Sequence, residues 1–195
     1  CWHTSYDKLG GIAALEPVKF SITSHRGCFG GCSFCSIFFH QGKYISCRSH
    51  QSIINEIEKL SRRSDFNGTI NDIGGPTANM YGMYCKQKTH NCSRPSCIYP
   101  NICKNLNLDY SQMLGLMDKI MKFKKHCQKK LNVYIASGVR HDLALHSKKY
   151  IELLAGDFVG GHLKVAPEHY SDKVLKLMGK SGIDKFEEFE SLFEQ

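Results

Sequence analysis

The chain of 195 residues has no apolar run approaching ~18 residues, which excludes a helical membrane span. It shows no basic-then-apolar segment of the secretory type near its start, so nothing in it points to export. It opens on Cys1-Trp2 without a methionine, and the expectation is a fragment or a domain cut from something longer. Acidic residues are scarce beside basic ones: 18 Asp and Glu face 26 Lys and Arg, for a net charge of +8. A scattered solvated surface accounts for that balance, and so would an electropositive mouth drawing in an anionic cluster, cofactor or nucleic acid. Charge alone therefore assigns no nucleic-acid partner. Lys122, Lys124, Lys125, Lys129 and Lys130 are expected on the solvated outer face of one helix.

Cysteine, by contrast, is plentiful, with ten in the chain. In a secreted chain under ~100 residues such a number would announce a disulfide framework. Here the chain is longer and its cysteines cluster at short, ligand-like gaps. A cytoplasmic setting is expected, with thiols kept reduced and used for metal. Hydrophobic content of 42% and charged content of 23% are ordinary for a globular protein, and the length suits one sizeable core.

Residues Val18 to Ile22 alternate apolar and polar, as in a strand running into a cysteine-bearing loop. Ser49 is a candidate N-cap, after which Ile53, Ile54, Ile57 and Leu60 recur at helical spacing to about Arg62. A second strand, Thr69 to Ile73, ends in Gly74-Gly75-Pro76, and residues 77–108 form an irregular stretch. Gln112 to Lys129 reads as a helix with Leu114, Met117, Ile120, Met121 and Phe123 on its apolar side. Asn132 to Ala136 is a third strand, closed by Ser137-Gly138, and Ser147 to Ala155 a short helix. His162 to Ala166 is a fourth strand halted by Pro167, followed by helical patterns at Ser171 to Met178 and Lys185 to Glu194. Four alternations of strand and helix predict an α/β fold, its parallel sheet doubly wound or bent into a barrel. Both architectures place active groups after the carboxyl ends of strands, where all the candidate motifs fall.

Cys28, Cys32 and Cys35 lie within eight residues, at gaps of three and two, in a glycine-rich loop. Three such thiolates can hold a cubane iron–sulfur cluster, which normally takes four cysteines, so one iron is left open. Zinc, with His25 and His40 flanking the loop, is an alternative, and chance clustering another. The spacing, the aromatic Phe34 before the last cysteine and the position after the first strand favour the cluster. A second set, Cys85, Cys92, Cys97 and Cys103, has gaps of six, four and five, with Pro95 and Pro100 between ligands. Four thiolates can close a tetrahedral zinc or a second iron–sulfur cluster. A loop of about thirty residues also needs something to pin it. Cys1, Cys47 and Cys127 read as packing residues.

These residues carry a resemblance. Cys28, Cys32 and Cys35, with Phe34, resemble the signature of the radical S-adenosylmethionine superfamily. More narrowly, His25 to Cys32, Asp72 to Tyr81 and Val165 to His169 resemble its YgiQ-type subgroup, whose members are generally uncharacterised. The resemblance covers nearly the whole chain from about Val18. It implies a [4Fe–4S] cluster on Cys28, Cys32 and Cys35, with the amine and carboxylate of S-adenosylmethionine on the open iron. One electron would then cleave a carbon–sulfur bond, leaving methionine and a 5′-deoxyadenosyl radical that abstracts hydrogen from a substrate. That chemistry is the cofactor's, and the protein binds, orients and excludes water. An electron donor such as flavodoxin or ferredoxin is implied as a partner.

Phe34 is carried over as a cofactor-binding position. Gly74-Gly75 look like the glycine motif that meets the methionyl amine, since absent side chains let a carbonyl approach closely. A simple tight turn is the plainer reading, and Pro76 stands where many superfamily members have Glu. Ser137 and Arg140 could meet the methionyl carboxylate, for which a guanidinium fork is suited, or Arg140 could pair with Asp142. Glu168 is placed to accept a ribose hydroxyl, or is a surface residue in a turn. The segment Ser171 to Met178 resembles the one after strand four in radical methylthiotransferases and the Elongator catalytic subunit.

The superfamily barrel usually has six strands, so the expected fold is a partial parallel (β/α) barrel with about four βα units. Residues 1–17 are a lead-in and 18–195 the core, with 77–108 a cysteine-rich insertion. An unpaired parallel edge is a liability, so the chain alone is expected to be poorly soluble and weak in cofactor affinity. The competing reading is a non-catalytic, cysteine-rich zinc scaffold contacting RNA through its basic surface.

Overall fold

The computed structural model describes residues 3–87, 92–127 and 130–195, so the readings of Cys1 and Lys129 lie outside the described residues. Two 3-10 turns, Thr4–Leu9 and Ala13–Val18, lead in. Then follow β1 (Ser21–Thr23), β2 (His25–Arg26), α1 (Ile37–Gln41), β3 (Ser46–Cys47), α2 (His50–Ser61), β4 (Thr69–Ile70) and β5 (Asp72–Gly74). The second part holds β6 (Tyr84–Cys85), β7 (Leu106–Asn107), α3 (Ser111–His126), β8 (Asn132–Val133), α4 (His141–Ala144), α5 (Lys148–Leu153), α6 (Asp172–Met178) and α7 (Ile183–Phe193).

The first strand starts three residues later than the alternation at Val18 predicts. Pro17 sits inside the preceding 3-10 turn, where its fixed φ suits the turn, and Val18 is left exposed. From Ser21 the chain pairs in parallel with β5, with Ser21 opposite Asp72, Ile22 opposite Ile73 and Thr23 opposite Gly74. β4 pairs in parallel with β8. Single backbone bonds extend this order: Ile73 N–H donates to the Tyr134 carbonyl at 2.9 Å, and Ile135 N–H to the Phe158 carbonyl at 2.9 Å. Four successive segments thus lie side by side in chain order, and the fold is mixed α/β with a parallel sheet that does not close into a barrel among the described residues.

Two expected strands are shorter than their sequence patterns. The regular ladder of the third ends at Val133, single backbone bonds continue through Tyr134 and Ile135, and beyond them the Asp72 carboxylate takes the N–H groups of Ala136 and Ser137, at 2.8 and 3.0 Å. The fourth, expected over His162 to Ala166, is reduced to one parallel bridge between Val139 and Val165. Gly160 and Gly161 precede it, the latter at φ 135°, and such residues weaken a strand.

Alternation along the strands separates two faces. Ile22, Ile70, Ile73 and Val133 are buried in the core, while Ser21, Thr23 and Asp72 remain partly or fully open on the other side. The long helices cover the apolar face. Ser49 caps α2 by accepting the Ser52 N–H at 3.2 Å, and Ile53 and Ile57, one turn apart, are fully buried. In α3, Met113, Leu116, Met117 and Ile120 are buried at helical spacing. α3 ends at His126, where Cys127 turns extended, and Lys124 reaches back to within 5.9 Å of the Phe158 ring centre rather than out to solvent.

The insertion is less irregular than expected. Ala78–Met80 form a buried 3-10 turn, and β6 runs antiparallel to β7. Cys127 packs on the core as predicted, but Cys47 is exposed and accepts the Gly82 N–H at 3.2 Å. Among the described residues no helix is long and apolar enough to cross a membrane.

Candidate functional site at the strand ends

β1 and β2 deliver the chain to the cysteine loop, and glycine shapes it at two points. A Cβ on Gly27 (φ 91°) would lie 2.0 Å from the Tyr44 carbonyl oxygen, and one on Gly31 (φ 60°) 2.2 Å from that of Pro95. Cys28 N–H donates to the Gly42 carbonyl at 3.0 Å, and Gly27 N–H to Gln41 Oε1 at 3.1 Å. On the far side, Ser33 donates through N–H and Oγ–H to the Met178 and Leu177 carbonyls at the end of α6, at 3.1 and 2.8 Å. The loop is therefore clamped between α1, the insertion and α6.

Cys28, Cys32 and Cys35 are half-buried free thiols. A Cβ on Gly30 would meet Cys28 Sγ at 3.3 Å, Cys32 Sγ at 3.7 Å and Arg140 Nη1 at 3.3 Å. Two thiols and a guanidinium thus border one space that the missing side chain keeps open. Gly30 N–H donates to Cys28 Sγ at 3.4 Å, and Arg140 Nη1 to Cys32 Sγ at 3.5 Å. Burial pushes the Cys32 thiol up, against the pull of the Arg140 and Lys180 charges.

Cys35 shares a turn with Cys32, its N–H donating to the Cys32 carbonyl at 3.1 Å, so three thiols, the donor type of an iron–sulfur cube, lie on one loop. Among the described residues no three His, Cys, Asp or Glu side chains gather about one metal ion. Zinc would require thiolates at ~2.3 Å from a single centre, whereas a cube gives each thiolate its own iron. Neither flanking histidine serves the loop: His40 is exposed, and His25 is buried with Nε2 3.0 Å from the Thr77 carbonyl. Burial, partly offset by that bond, lowers the His25 pKa to about 4, so the ring is neutral. Nε2–H then donates to Thr77, and the Ser24 hydroxyl stands 2.9 Å from both Nδ1 and the Gly74 carbonyl.

Arg140 is 5% exposed and takes up the second of its two predicted roles. Its Nε and Nη2 donate to the Asp142 carboxylate at 2.9 and 2.5 Å, while Nη1 points at Cys32. Asn79 fixes its backbone from both sides, accepting the Arg140 N–H at 3.0 Å and donating to its carbonyl at 2.9 Å. Glu168 stands at φ 73°, exposed, with its carboxylate 3.5 Å from Lys180 Nζ. Lys180 is itself 5% exposed and donates to the Ala166 carbonyl at 2.6 Å.

A cavity of about 280 Å³ opens beside the loop, lined by Thr23, Arg26, Gln41, Gly74, Gly75 and Ser137 among others. The two glycines are there for different reasons. A Cβ on Gly74 would lie 2.1 Å from Ser137 Oγ, and one on Gly75 within 2.6 to 2.8 Å of the His25 ring. The Gly74 carbonyl is engaged by Ser24 N–H at 2.7 Å, and Ser137 Oγ is bonded to Asp72. The structure thus brings Gly74, Gly75 and Ser137 together around one cavity and Arg140 to the thiols. Glu168 and Phe34 are not in the cavity wall, and Phe34 is 52% exposed.

Sequence reasoning passed over Asp72, Arg26 and Lys180. Asp72 gathers three donors from a segment sixty-four residues away or more, which no local pattern reveals. Arg26 adjoins the loop in sequence, and its neighbourhood to Cys28 was the available signal.

No family model matches the chain. Curated relatives named UPF0313 proteins do. The chain is 44% identical over 195 residues to one from Methanosarcina mazei, 41% over 197 residues to one from Fusobacterium nucleatum and 46% over 192 residues to one from Clostridium botulinum. These alignments take in 98%, 98% and 96% of this chain, but only 30%, 34% and 29% of the relatives, so it spans about a third of their length. Among solved structures, the fold is like that of TsrM, a radical S-adenosylmethionine methyltransferase from Kitasatospora setae. The TM-score is 0.55 at 16% identity, over 89% of this chain and 28% of that one. TsrM was solved with tryptophan and the analogue aza-SAM, and also with cobalamin and a [4Fe-4S] cluster.

Proposed function

For a chain similar to the UPF0313 proteins along nearly its whole length and folded like a radical S-adenosylmethionine enzyme, we propose the chemistry of that superfamily. Cys28, Cys32 and Cys35 hold a [4Fe–4S] cluster, and the cavity beside them takes S-adenosylmethionine. The observation that carries this reading is the space at Gly30, bordered by Cys28 Sγ, Cys32 Sγ and Arg140 and sited at the end of β1 beside the glycine-lined cavity. When bound, the reduced cluster supplies one electron that splits S-adenosylmethionine into methionine and a 5′-deoxyadenosyl radical, for hydrogen abstraction from a substrate.

The chain's own residues bind, orient and shield. Gly75 offers its carbonyl to the methionyl amine, because the Gly74 carbonyl already serves Ser24. Arg26, in the cavity wall, meets the methionyl carboxylate in place of Arg140, which is committed to Asp142 and Cys32. Ser137 is engaged through its hydroxyl with Asp72 and acts by shaping the wall. Glu168 accepts a ribose hydroxyl from outside the cavity, steadied by Lys180. The buried, neutral His25, itself in the cavity wall, packs against Gly75. On this reading the four parallel segments form the first part of a (β/α) barrel, and the one-electron donor is a flavodoxin- or ferredoxin-type protein.

The test is anaerobic reconstitution with iron and sulfide, followed by dithionite and S-adenosylmethionine. Formation of 5′-deoxyadenosine, abolished by Cys32→Ala, is the expected result. A protein that binds stoichiometric zinc and no iron when purified anaerobically would overturn it in favour of a zinc scaffold.

A further inference from the structure

Four thiols play no part in that chemistry. Cys85, Cys92, Cys97 and Cys103 come from the insertion, and none is in a disulfide. Backbone bonds draw them together. Cys103 N–H donates to the Cys97 carbonyl at 2.7 Å, Leu106 N–H to that of Cys103 at 2.9 Å, and the β6–β7 pairing sets Leu106 opposite Cys85. Lys43 Nζ donates to the Cys92 carbonyl.

Three of them border a space, and Cys103 adjoins it through its backbone bond to Cys97. Cys85, Cys92 and Cys97 line a cavity of about 220 Å³ together with Phe29, Lys43 and Tyr84. Two disulfides would leave that space unused. A lone zinc ion needs its thiolates around one centre, and among the described residues no three such side chains are so placed. A cube sets its four ligands apart at separate corners. Four thiolates on a cube make an anionic group, and Lys43 supplies a cation in the wall. Such a group would also act as the anchor that a long insertion with two short strands requires.

The geometry points to a second, cubane-type iron–sulfur cluster on Cys85, Cys92, Cys97 and Cys103. It lies across Phe29 from the first, since Cys97 N–H donates to the Phe29 carbonyl at 3.0 Å, one residue from Cys28. All four of its corners carry protein ligands, so it leaves no open iron.

Iron and acid-labile sulfide counts, with Mössbauer spectra, test this on the protein reconstituted anaerobically. The wild type is expected to carry about eight irons per chain. A triple variant with Cys28→Ala, Cys32→Ala and Cys35→Ala should keep about four, and a quadruple variant with Cys85→Ser, Cys92→Ser, Cys97→Ser and Cys103→Ser should keep the other four or so. A triple variant that holds no iron, or that holds zinc instead, overturns the second cluster and leaves the first untouched. A quadruple variant without iron beside a triple variant that keeps it would sink the proposed function and leave the second cluster standing. Should the quadruple variant not fold, the wild type decides, since about four irons in protein that cleaves S-adenosylmethionine at full rate overturns the inference.

Discussion

The guanidinium of Arg140 joins Asp142 to Cys32: two of its nitrogens hold the carboxylate at 2.9 and 2.5 Å, and the third reaches the thiol at 3.5 Å. Burial opposes the charge on both partners. Their mutual hydrogen bonds and attraction outweigh it, so the Arg140 pKa is raised and that of Asp142 lowered. Arg140→Ala leaves a buried carboxylate unpaired and is expected to cost about 3–5 kcal/mol in urea unfolding. Arg140→Lys keeps the charge without the fork and should cost less. Because the Asp142 pKa is depressed in the folded state, the pair's contribution is full above ~3.9 and fades as pH falls through the folded value.

Two buried histidines give the stability curve a second acid-side feature. Burial lowers both His25 and His141 to about 4 from 6.5. Between those values the unfolded chain binds protons that the folded one does not, so stability is full above ~6.5 and declines as pH falls toward ~4. Each ring contributes on the order of 3 kcal/mol to that decline. Urea midpoints measured across the window should show the slope, and His25→Gln should flatten about half of it. A curve unchanged by that substitution would mean the ring is solvated and free to charge.

Gly30 and Gly75 separate cluster from cosubstrate. A methyl group on Gly30 enters the space between Cys28, Cys32 and Arg140, whereas one on Gly75 presses on His25 in the cavity wall. Gly30→Ala is expected to lower iron content several-fold with the fold intact. Gly75→Ala should leave the cluster absorbance in place and weaken S-adenosylmethionine binding by tenfold or more, read by calorimetry. Equal loss of iron in both variants would break the assignment of the two sites.

What could be read from the chain before its structure follows from the range of the forces involved. The cysteine loop was legible because its three thiols lie close in sequence. α2 and α3 were legible because Ile53 and Ile57, or Met117 and Ile120, repeat at the pitch of a helix. α1 and α4, of five and four residues, are too short to show a period. The end of strand three was over-read because from Ala136 a distant carboxylate, Asp72, takes the N–H groups in place of a neighbouring strand. Within the site, glycine positions could be named, but which carbonyl stays available depended on Ser24, and whether Arg140 was engaged depended on Asp142. Lys180 was passed over because lysines are ordinarily exposed.

That buried lysine sets the last expectation. Lys180 Nζ is held by the Ala166 carbonyl at 2.6 Å and lies 3.5 Å from Glu168, and its charge, with that of Arg140, acts on Cys32. A cation near the first loop favours the more negative, reduced state of a cluster there. Lys180→Met should therefore lower the midpoint potential of that cluster, on the order of 59 mV for each tenfold change in its one-electron equilibrium. Glu168→Gln removes the opposing charge and should raise the potential, by less because the carboxylate is exposed. Redox titration followed by EPR distinguishes this from a structural role. If Lys180→Met lowers the melting temperature while the potential stays where it was, Lys180 serves the turn around Ala166 and not the cluster.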